Sequence, residues 1–362
     1  MNYLTIAIVT FSVLGALDRI FGNKFGLGKE FEKAFGLLSS MALSMIGMIV
    51  ISPAIANLMK PVSDFFVNVL NIDASIIPAS LFANDMGGAP LATKLAINKE
   101  IGAYNALVVS AMMGVTVSFT IPFALGVVPK EKHDDLFLGL LCGIVTIPFG
   151  CFVSGLICKL KISELIIDLI PIVIFSAVIA VGLICVPNLC IKIFKIFGVF
   201  ITAVITIGLA LGIIRFLTGY EVIKGLATIE EGADVCVNAA IVLSGSFPLV
   251  YLFAKVLAKP LKAIGDKIGL NEISVASFIS SLVSSSTAFG VMDKMNKKGV
   301  VMNSAFAVSG AFVFGSHLAF TLAYNGEYVL PVIVGKLVSG IFALILSYII
   351  FDKMNKQKGD IK

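Results

Sequence analysis

The sequence predicts an all-α polytopic membrane protein with about 9–11 transmembrane segments in two weakly related, inverted halves, each with an interrupted, re-entrant segment. Of the 362 residues, 58% are hydrophobic and 14% are charged, and the mean hydropathy is +1.04. An average soluble domain has about 25% charged residues. Several apolar runs approach or exceed the roughly 18 residues that cross a bilayer. The lipid bilayer is therefore the first predicted partner of this chain.

The apolar runs follow the same order in both halves of the chain. The first half predicts helices at 3–22, 33–58, 101–126 and 136–158, with an interrupted segment at 62–97 and a further span at 165–187. The second half predicts helices at 190–215, 233–256, 300–325 and 329–351, with an interrupted segment at 261–296. This order divides the chain into a first transmembrane repeat at 1–160, a linking helix at 161–188, and a second repeat with a cytoplasmic tail at 189–362.

A gap-free alignment of the chain with itself supports this division. It places the Lys60-Pro61 pair opposite Lys259-Pro260 and Asp85 opposite Ser284. The residue identities are few, and the argument depends on the matched order of features, including one broken polar segment in each half. Both polar tips are rich in small, helix-breaking residues.

Loop charges bear on whether the interrupted segments cross the membrane or re-enter on one side. The re-entrant arrangement has nine crossings and places a larger excess of Lys and Arg on the inner side than the arrangement in which both segments cross. It also makes the two halves inverted, whereas two crossing segments make them parallel. Both arrangements place the N-terminus outside and the C-terminus in the cytoplasm.

The residues from Ala83 to Pro90 form a polar island inside an apolar segment. Asp85 is an isolated acid there, and an aspartate at the centre of a membrane helix costs about 2.5–3.5 kcal/mol. Gly87 and Gly88 break the helix and leave backbone groups free to bind a ligand, with Asn84 beside them. Asp85 is either a cation ligand or a cap that accepts backbone N–H bonds.

The matching tip of the second half carries a run of hydroxyl groups. Its candidate binding residues are Ser284, Ser285, Ser286 and Thr287. Hydroxyls donate and accept hydrogen bonds, and therefore suit an alcohol or a desolvated small cation. The alternative is close helix packing, in which small residues line membrane-helix contacts.

Two further polar residues lie in apolar runs of the two halves. His317 is either a proton relay or pH-dependent gate, or a hydrogen-bonded packing residue. Thr116 is a candidate for the wall of the same cavity.

Other chemistries are poorly supported by the sequence. The six cysteines have no CxxC spacing and only two histidines accompany them, so no metal site and no cofactor is predicted. No nucleotide-binding or hydrolase motif stands in a suitable context, which argues against an enzyme. The formal net charge of +5 comes from loop lysines and arginines that set orientation, and nucleic-acid binding is not predicted.

Several segments resemble those of one known family. They are Leu17–Ile20, Leu81–Gly88, Ser110–Thr116, Ile121–Gly126 and Gly143–Cys151. They look like the ethanolamine utilisation permease family, EutH. The resemblance covers nearly the whole chain and is densest between residues 80 and 155. It implies ethanolamine transport across the bacterial plasma (inner) membrane for ethanolamine utilisation, and it supplies no binding residues.

The resemblance and the residues agree on a small ammonium alcohol as substrate. One carboxylate at Asp85 for the ammonium and one hydroxyl cluster at Ser284–Thr287 for the alcohol would suffice as polar contacts. Two alternatives remain open, a transporter of another small solute such as an amino acid or organic anion, and a membrane-embedded enzyme. A facilitator, H+ symport and Na+ symport all fit the sequence, which also predicts no oligomeric state.

Overall fold

A computed structural model describes residues 3–359 of the chain, with side chains as far as residue 354. Every regular element in this range is helical. The α-helices are α1 (Tyr3–Ile20), α2 (Leu27–Gly36), α3 (Leu38–Asn68), α4 (Ile76–Leu81), α5 (Gly88–Leu95), α6 (Lys99–Tyr104), α7 (Ile121–Val127), α8 (His133–Ile157), α9 (Ile162–Cys185), α10 (Pro187–Thr218), α11 (Ile229–Ile268), α12 (Glu272–Val283), α13 (Ser285–Phe289), α14 (Lys297–Ser309), α15 (Ser316–Asn325) and α16 (Val329–Gly359). The π-helical stretches Asn105–Gly114 and Thr116–Thr120 join α6 to α7.

Eight continuous helical stretches in the described range are long and apolar enough to cross a membrane. They are Tyr3–Ile20, Leu27–Asn68, Lys99–Val127, Lys130–Ile157, Ile162–Cys185, Pro187–Thr218, Ile229–Ile268 and Ser316–Met354. The chain is therefore a multi-pass, all-α membrane protein, as the sequence predicts. α9 overlaps the predicted linking span.

The predicted single helix at 300–325 is wrong. The structure divides it into α14 and α15, separated by a turn at Gly310–Gly315. Phe312 has a φ of 62° in this turn. Its backbone N–H donates to Ser281 O at 3.0 Å, and the N–H of Phe314 donates to Leu282 O at 2.9 Å. Bonds to a neighbouring segment thus replace the helical bonds that a continuous helix would make.

The predicted starts of the interrupted segments, at 62 and 261, are also too early. α3 continues through Pro61 to Asn68, and α11 continues through Pro260 to Ile268. A proline removes one intrahelical bond and bends a helix, but a long helix can continue beyond it.

Both interrupted segments fold back on themselves, and we name them hairpin 1 (residues 73–98) and hairpin 2 (residues 269–296). In hairpin 1, Asp73 Oδ2 accepts hydrogen bonds from the backbone N–H groups of Ile97 at 3.0 Å and Asn98 at 2.9 Å. The two ends of hairpin 1 therefore lie side by side. Its arms have 6 and 8 residues, about 9 and 12 Å long, against a hydrocarbon core of about 30 Å.

Hairpin 2 closes in the same way. Asn271 Nδ2 donates to Lys294 O at 2.8 Å, and Asn296 Nδ2 donates to Gly269 O at 2.7 Å. Its arms, α12 and α13, meet at Ser284, whose backbone is extended (φ −157°, ψ 127°). The two ends of each hairpin thus lie side by side.

The tip of hairpin 1 depends on two glycines. Gly87 has a φ of +102°, and a Cβ placed there would lie 1.9 Å from Met48 Cγ. A Cβ on Gly88 would lie 2.2 Å from the carbonyl oxygen of Phe82. The turn between α4 and α5 therefore requires glycine at both positions.

Helices of the two halves pack against each other across the centre of the bundle. α8 and α16 run antiparallel, with Thr146 Oγ1 and Ser339 Oγ 3.1 Å apart. A Cβ on Gly150 would lie 2.6 Å from Gly335 O. Small residues let these two backbones approach closely.

Candidate functional site

A large cavity, the central cavity, extends from one end of the bundle to the tips of both hairpins, and has a volume of about 1020 Å³. Lys33, Lys259 and Lys262 line its mouth, and Asp85 and His317 lie among its lining residues. Its walls are largely apolar. The cavity therefore leads through mostly apolar walls to the polar groups at the hairpin tips.

Asp85 is the acid of this site. It follows the break in hairpin 1, and its side chain is 16% exposed. Its backbone N–H donates to Asn84 Oδ1 at 3.0 Å. Its carboxylate Oδ1 lies 3.9 Å from His317 Nε2. In the described residues, the helices on either side of Asp85, α4 and α5, have no side-chain cap at their N-termini.

His317 forms the wall beside Asp85. Its side chain is 1% exposed, and its ring stacks on Phe312 with 5.1 Å between ring centroids. Nδ1 has no hydrogen-bond partner. The turn between α14 and α15 therefore holds the imidazole at the carboxylate by aromatic packing.

The hydroxyl run of hairpin 2 contributes three of its four candidates to the central cavity. Ser284, Ser286 and Thr287 line it, and Ser284 Oγ lies 2.7 Å from Ser286 Oγ. Thr287 Oγ1 donates to Ser284 O at 2.7 Å. Ser285 is fully buried, has no hydrogen-bond partner for its hydroxyl, and is outside the cavity lining.

The remaining sequence candidates also lie outside the cavity lining. Asn84 is fully buried and its Nδ2 is 3.5 Å from Thr321 Oγ1. Thr116 Oγ1 donates to Met112 O at 2.6 Å and to Val308 O at 2.9 Å, and so joins the π-helical segment to α14. Gly87 and Gly88 shape the backbone of the tip. A direct contact between these residues and a ligand stays a prediction from the sequence.

Sequence reasoning missed Lys336. This lysine is fully buried in α16, and its Nζ donates to Ala111 O at 2.6 Å. Its charge interacts electrostatically with Asp85 and His317. The signal was present, because Lys336 is an ionisable residue inside a long apolar run, where such residues are rare and functional.

Lys336 gives Asp85 a buried countercharge from a distant part of the chain. The local sequence around Asp85 contains no such lysine. Because Nζ is held by a backbone carbonyl and Lys336 does not line the cavity, the carboxylate remains the charged group that faces the cavity beside His317.

The comparisons with known proteins agree with this architecture. The family model described as "Ethanolamine utilisation protein, EutH" matches residues 1–350. A protein of Listeria monocytogenes named "Probable ethanolamine permease EutH" is 40% identical over 97% of this chain and 94% of its own length. A protein of Escherichia coli with the same name is 34% identical over 95% of this chain and 93% of its own length. A Bacillus subtilis protein named "Uncharacterized protein YxeR" is 36% identical over 93% of this chain and 91% of its own. No solved structure matches. The chain therefore belongs to the EutH family of ethanolamine utilisation proteins.

Proposed function

We propose that this chain is a permease that imports ethanolamine across the bacterial plasma membrane, with Asp85 binding the substrate ammonium at the inner end of the central cavity. The observation that carries the proposal is the Asp85 carboxylate at the hairpin tips, in the same cavity as a cluster of hydroxyls and largely apolar walls; the other acids of the lining, Glu30 and Glu272, pair with Lys33 and Lys262. Relatives at 34–40% identity are named as probable ethanolamine permeases. Both lines favour transport, and neither requires a cofactor.

The chemistry of the site suits a protonated amino alcohol. A charge-assisted hydrogen bond from an ammonium to a carboxylate is about twice as strong as a neutral one. Ser284 and Ser286 can donate to or accept from the substrate hydroxyl. The central cavity is far larger than ethanolamine, so most of it serves as an aqueous vestibule.

The cavity is closed at the other end of the bundle, at contacts that we name the outer closure. Tyr324 Oη donates to Thr93 Oγ1 at 3.0 Å, and Tyr328 Oη donates to Glu100 O at 3.4 Å. These bonds join the end of α15 and the start of α16 to hairpin 1 and α6. Lysines at the mouth of the cavity favour the cytoplasmic side for its opening. On this basis we propose an N-terminus outside the cell and a C-terminus in the cytoplasm.

Helix contacts support an inverted repeat and alternating access. α1 packs on α11, where a Cβ on Gly245 would lie 2.0 Å from Ile8 O. α10 packs on α3, where a Cβ on Gly47 would lie 2.1 Å from Ile205 O. In the alignment of the two halves these pairs are equivalent, and α8 is equivalent to its antiparallel neighbour α16. Inverted repeats are typical of transporters that alternate access around a midplane site.

The enzyme alternative finds less support. A serine hydrolase needs a hydroxyl hydrogen-bonded to its general base. In the described part of the chain, Ser284 and Ser286 contact each other, His317 Nδ1 has no partner, and His317 Nε2 faces Asp85.

A second candidate function is transport of a zwitterionic amino acid. Lys336 favours it, because a buried cation near Asp85 could stabilise a substrate carboxylate. Ethanolamine remains the first candidate, since Lys336 lies outside the cavity lining.

Uptake of radiolabelled ethanolamine into proteoliposomes tests the proposal. Asp85→Asn removes a charged hydrogen bond worth about 1.5–3 kcal/mol, and should therefore lower the affinity for ethanolamine about 10- to 150-fold. Asp266→Asn is the matched control, because Asp266 is exposed on α11 away from the cavity lining. Normal uptake by Asp85→Asn would refute the assignment of Asp85. Stronger competition by unlabelled amino acids than by unlabelled ethanolamine would favour the second candidate.

A further inference from the structure

A second polar cluster lies at the base of hairpin 1, apart from the central cavity. We name Ser75, Asn105 and Asp168 the hairpin-base cluster. Asn105 Nδ2 donates to Asp168 Oδ1 at 3.0 Å and to Ser75 Oγ at 3.0 Å. Ser75 and Asn105 are fully buried, and Asp168 is 3% exposed. The cluster joins hairpin 1, the π-helical segment and α9.

Two acceptor atoms in this cluster have no hydrogen-bond partner. They are Asp168 Oδ2 and Asn105 Oδ1. A buried acceptor without a donor costs about 1–3 kcal/mol, and more when it is charged. Because their side chains are already hydrogen-bonded to each other, one small ligand could contact both free oxygens. Both atoms require a donor or a cation.

An adjoining cavity, the side cavity, has a volume of about 260 Å³ and is lined by Asp168 together with Asp73, Glu164, Asn71 and Asn98. Among the described residues, no lysine or arginine lines it. Asp73 accepts three backbone N–H bonds, and Glu164 pairs with Lys161 at 3.0 Å. In the described residues Asp168 has no salt-bridge partner, so its charge lacks a direct counterion.

We infer that the hairpin-base cluster binds one alkali cation, with Na+ as the expected ion, through the two unpartnered oxygens, Asp168 Oδ2 and Asn105 Oδ1. Hard cations select carboxylate and amide oxygens and complete their shell with other oxygens or water. Asp168 belongs both to the cluster and to the lining of the side cavity, which gives an ion a route to the cluster. No group of three or more His, Cys, Asp and Glu side chains suited to a metal occurs in the described residues. A single carboxylate favours a monovalent ion over a divalent one.

The site lies where it can influence the substrate tip. Hairpin 1 carries Ser75 at its base and Asp85 at its tip. Ser44, near the start of α3, lines the central cavity, and Val67, near the end of α3, lines the side cavity. The two cavities are therefore at opposite ends of α3. An ion bound between hairpin 1 and α9, at the end of the bundle opposite the central cavity, would couple Na+ binding to substrate binding at Asp85. This coupling rests on the proposed function.

Binding of radiolabelled Na+ to the purified full-length protein tests the inference, with thermal unfolding measured in NaCl, KCl and choline chloride at equal ionic strength. We expect saturable Na+ binding and a Tm raised by Na+, because a ligand that binds the folded state stabilises it. Asp168→Asn should lose the saturable binding. Asn105→Ala should weaken it at least about tenfold, or by about 1.4 kcal/mol.

The controls separate this inference from the proposed function. Asp85→Asn should retain Na+ binding while losing ethanolamine uptake. No Na+ binding by the wild-type protein would overturn the inference whether or not Asp168→Asn folds. A Tm that depends on pH and not on Na+ would also overturn it, because a proton shared by Asp168 and Asn105 would then satisfy both oxygens. Normal ethanolamine uptake alongside either result would leave the proposed function intact.

Discussion

Gly87→Ala tests whether the turn in hairpin 1 positions Asp85. Gly87 lies two residues after Asp85, with a φ of +102°, and a Cβ there would lie 1.9 Å from Met48 Cγ and 2.8 Å from Met48 Sδ. Met48 is fully buried in α3. The substitution therefore adds an unfavourable backbone conformation and a steric clash at one point.

The size of the effect follows from these two terms. A left-handed conformation costs an L-residue roughly 1–2 kcal/mol. An extra methyl in a packed core costs about 1–3 kcal/mol. Together they amount to about 2–5 kcal/mol, a large part of a typical stability of about 5–15 kcal/mol. The clash is relieved by a shift of the tip away from α3, which moves Asp85, or by a change of the Met48 rotamer inside the buried core.

Uptake and thermal unfolding of the purified protein measure the outcome. Gly87→Ala should lower Tm and raise the KM for ethanolamine. Gly126→Ala is the matched control, because Gly126 lies in α7 and a Cβ there meets nothing within 4 Å. Wild-type Tm and KM in Gly87→Ala would show that the tip is not held as described.

Two further predictions concern the polar groups of the site. Ser284→Ala and Ser286→Ala should each raise the KM for ethanolamine about 2- to 13-fold, the loss expected for one hydrogen bond of about 0.5–1.5 kcal/mol. Ser285→Ala is the control and should leave KM unchanged. Equal effects at all three positions would contradict the assignment of Ser284 and Ser286 to the substrate hydroxyl. Lys336→Met removes a buried positive charge that competes with the substrate ammonium for Asp85, so it should lower the KM for ethanolamine in uptake assays. An unchanged or higher KM would count against Lys336 as a countercharge of Asp85.

Much of the fold could be predicted from the sequence because membrane insertion imposes a strong pattern. Apolar runs of sufficient length locate the helices, and clusters of glycine and serine locate both hairpin tips. The ends of α3 and α11 could not be predicted, since a proline marks a bend as often as an end. The break at Gly310–Gly315 also escaped prediction. Hydrogen bonds to hairpin 2 stabilise it, and they depend on tertiary contacts that local sequence does not encode.

The residues of the candidate site could be predicted where a polar or charged side chain lies in an apolar segment, because burying such a side chain is energetically costly. Asp85 and His317 were found because polar groups in apolar runs are expensive. Lys336 carries the same signal, but its position near the start of the last apolar run hid it, and its electrostatic interaction with Asp85 depends on tertiary structure. Composition also cannot tell which hydroxyls of a tip face a cavity. Ser285 faces away while Ser284 and Ser286 face in, which the backbone turn at Ser284 decides.

The central claim is that Asp85 binds the ammonium group of ethanolamine. Equilibrium binding of ethanolamine to the purified protein by calorimetry tests it most directly, with ethylene glycol and propylamine as ligands that lack the ammonium or the hydroxyl. We expect ethanolamine to bind the wild-type protein and the Asp266→Asn control equally, propylamine to bind more weakly, and ethylene glycol not to bind. Asp85→Asn should reduce ethanolamine affinity about 10- to 150-fold. Equal affinities of the wild-type protein and Asp85→Asn for ethanolamine would contradict the claim.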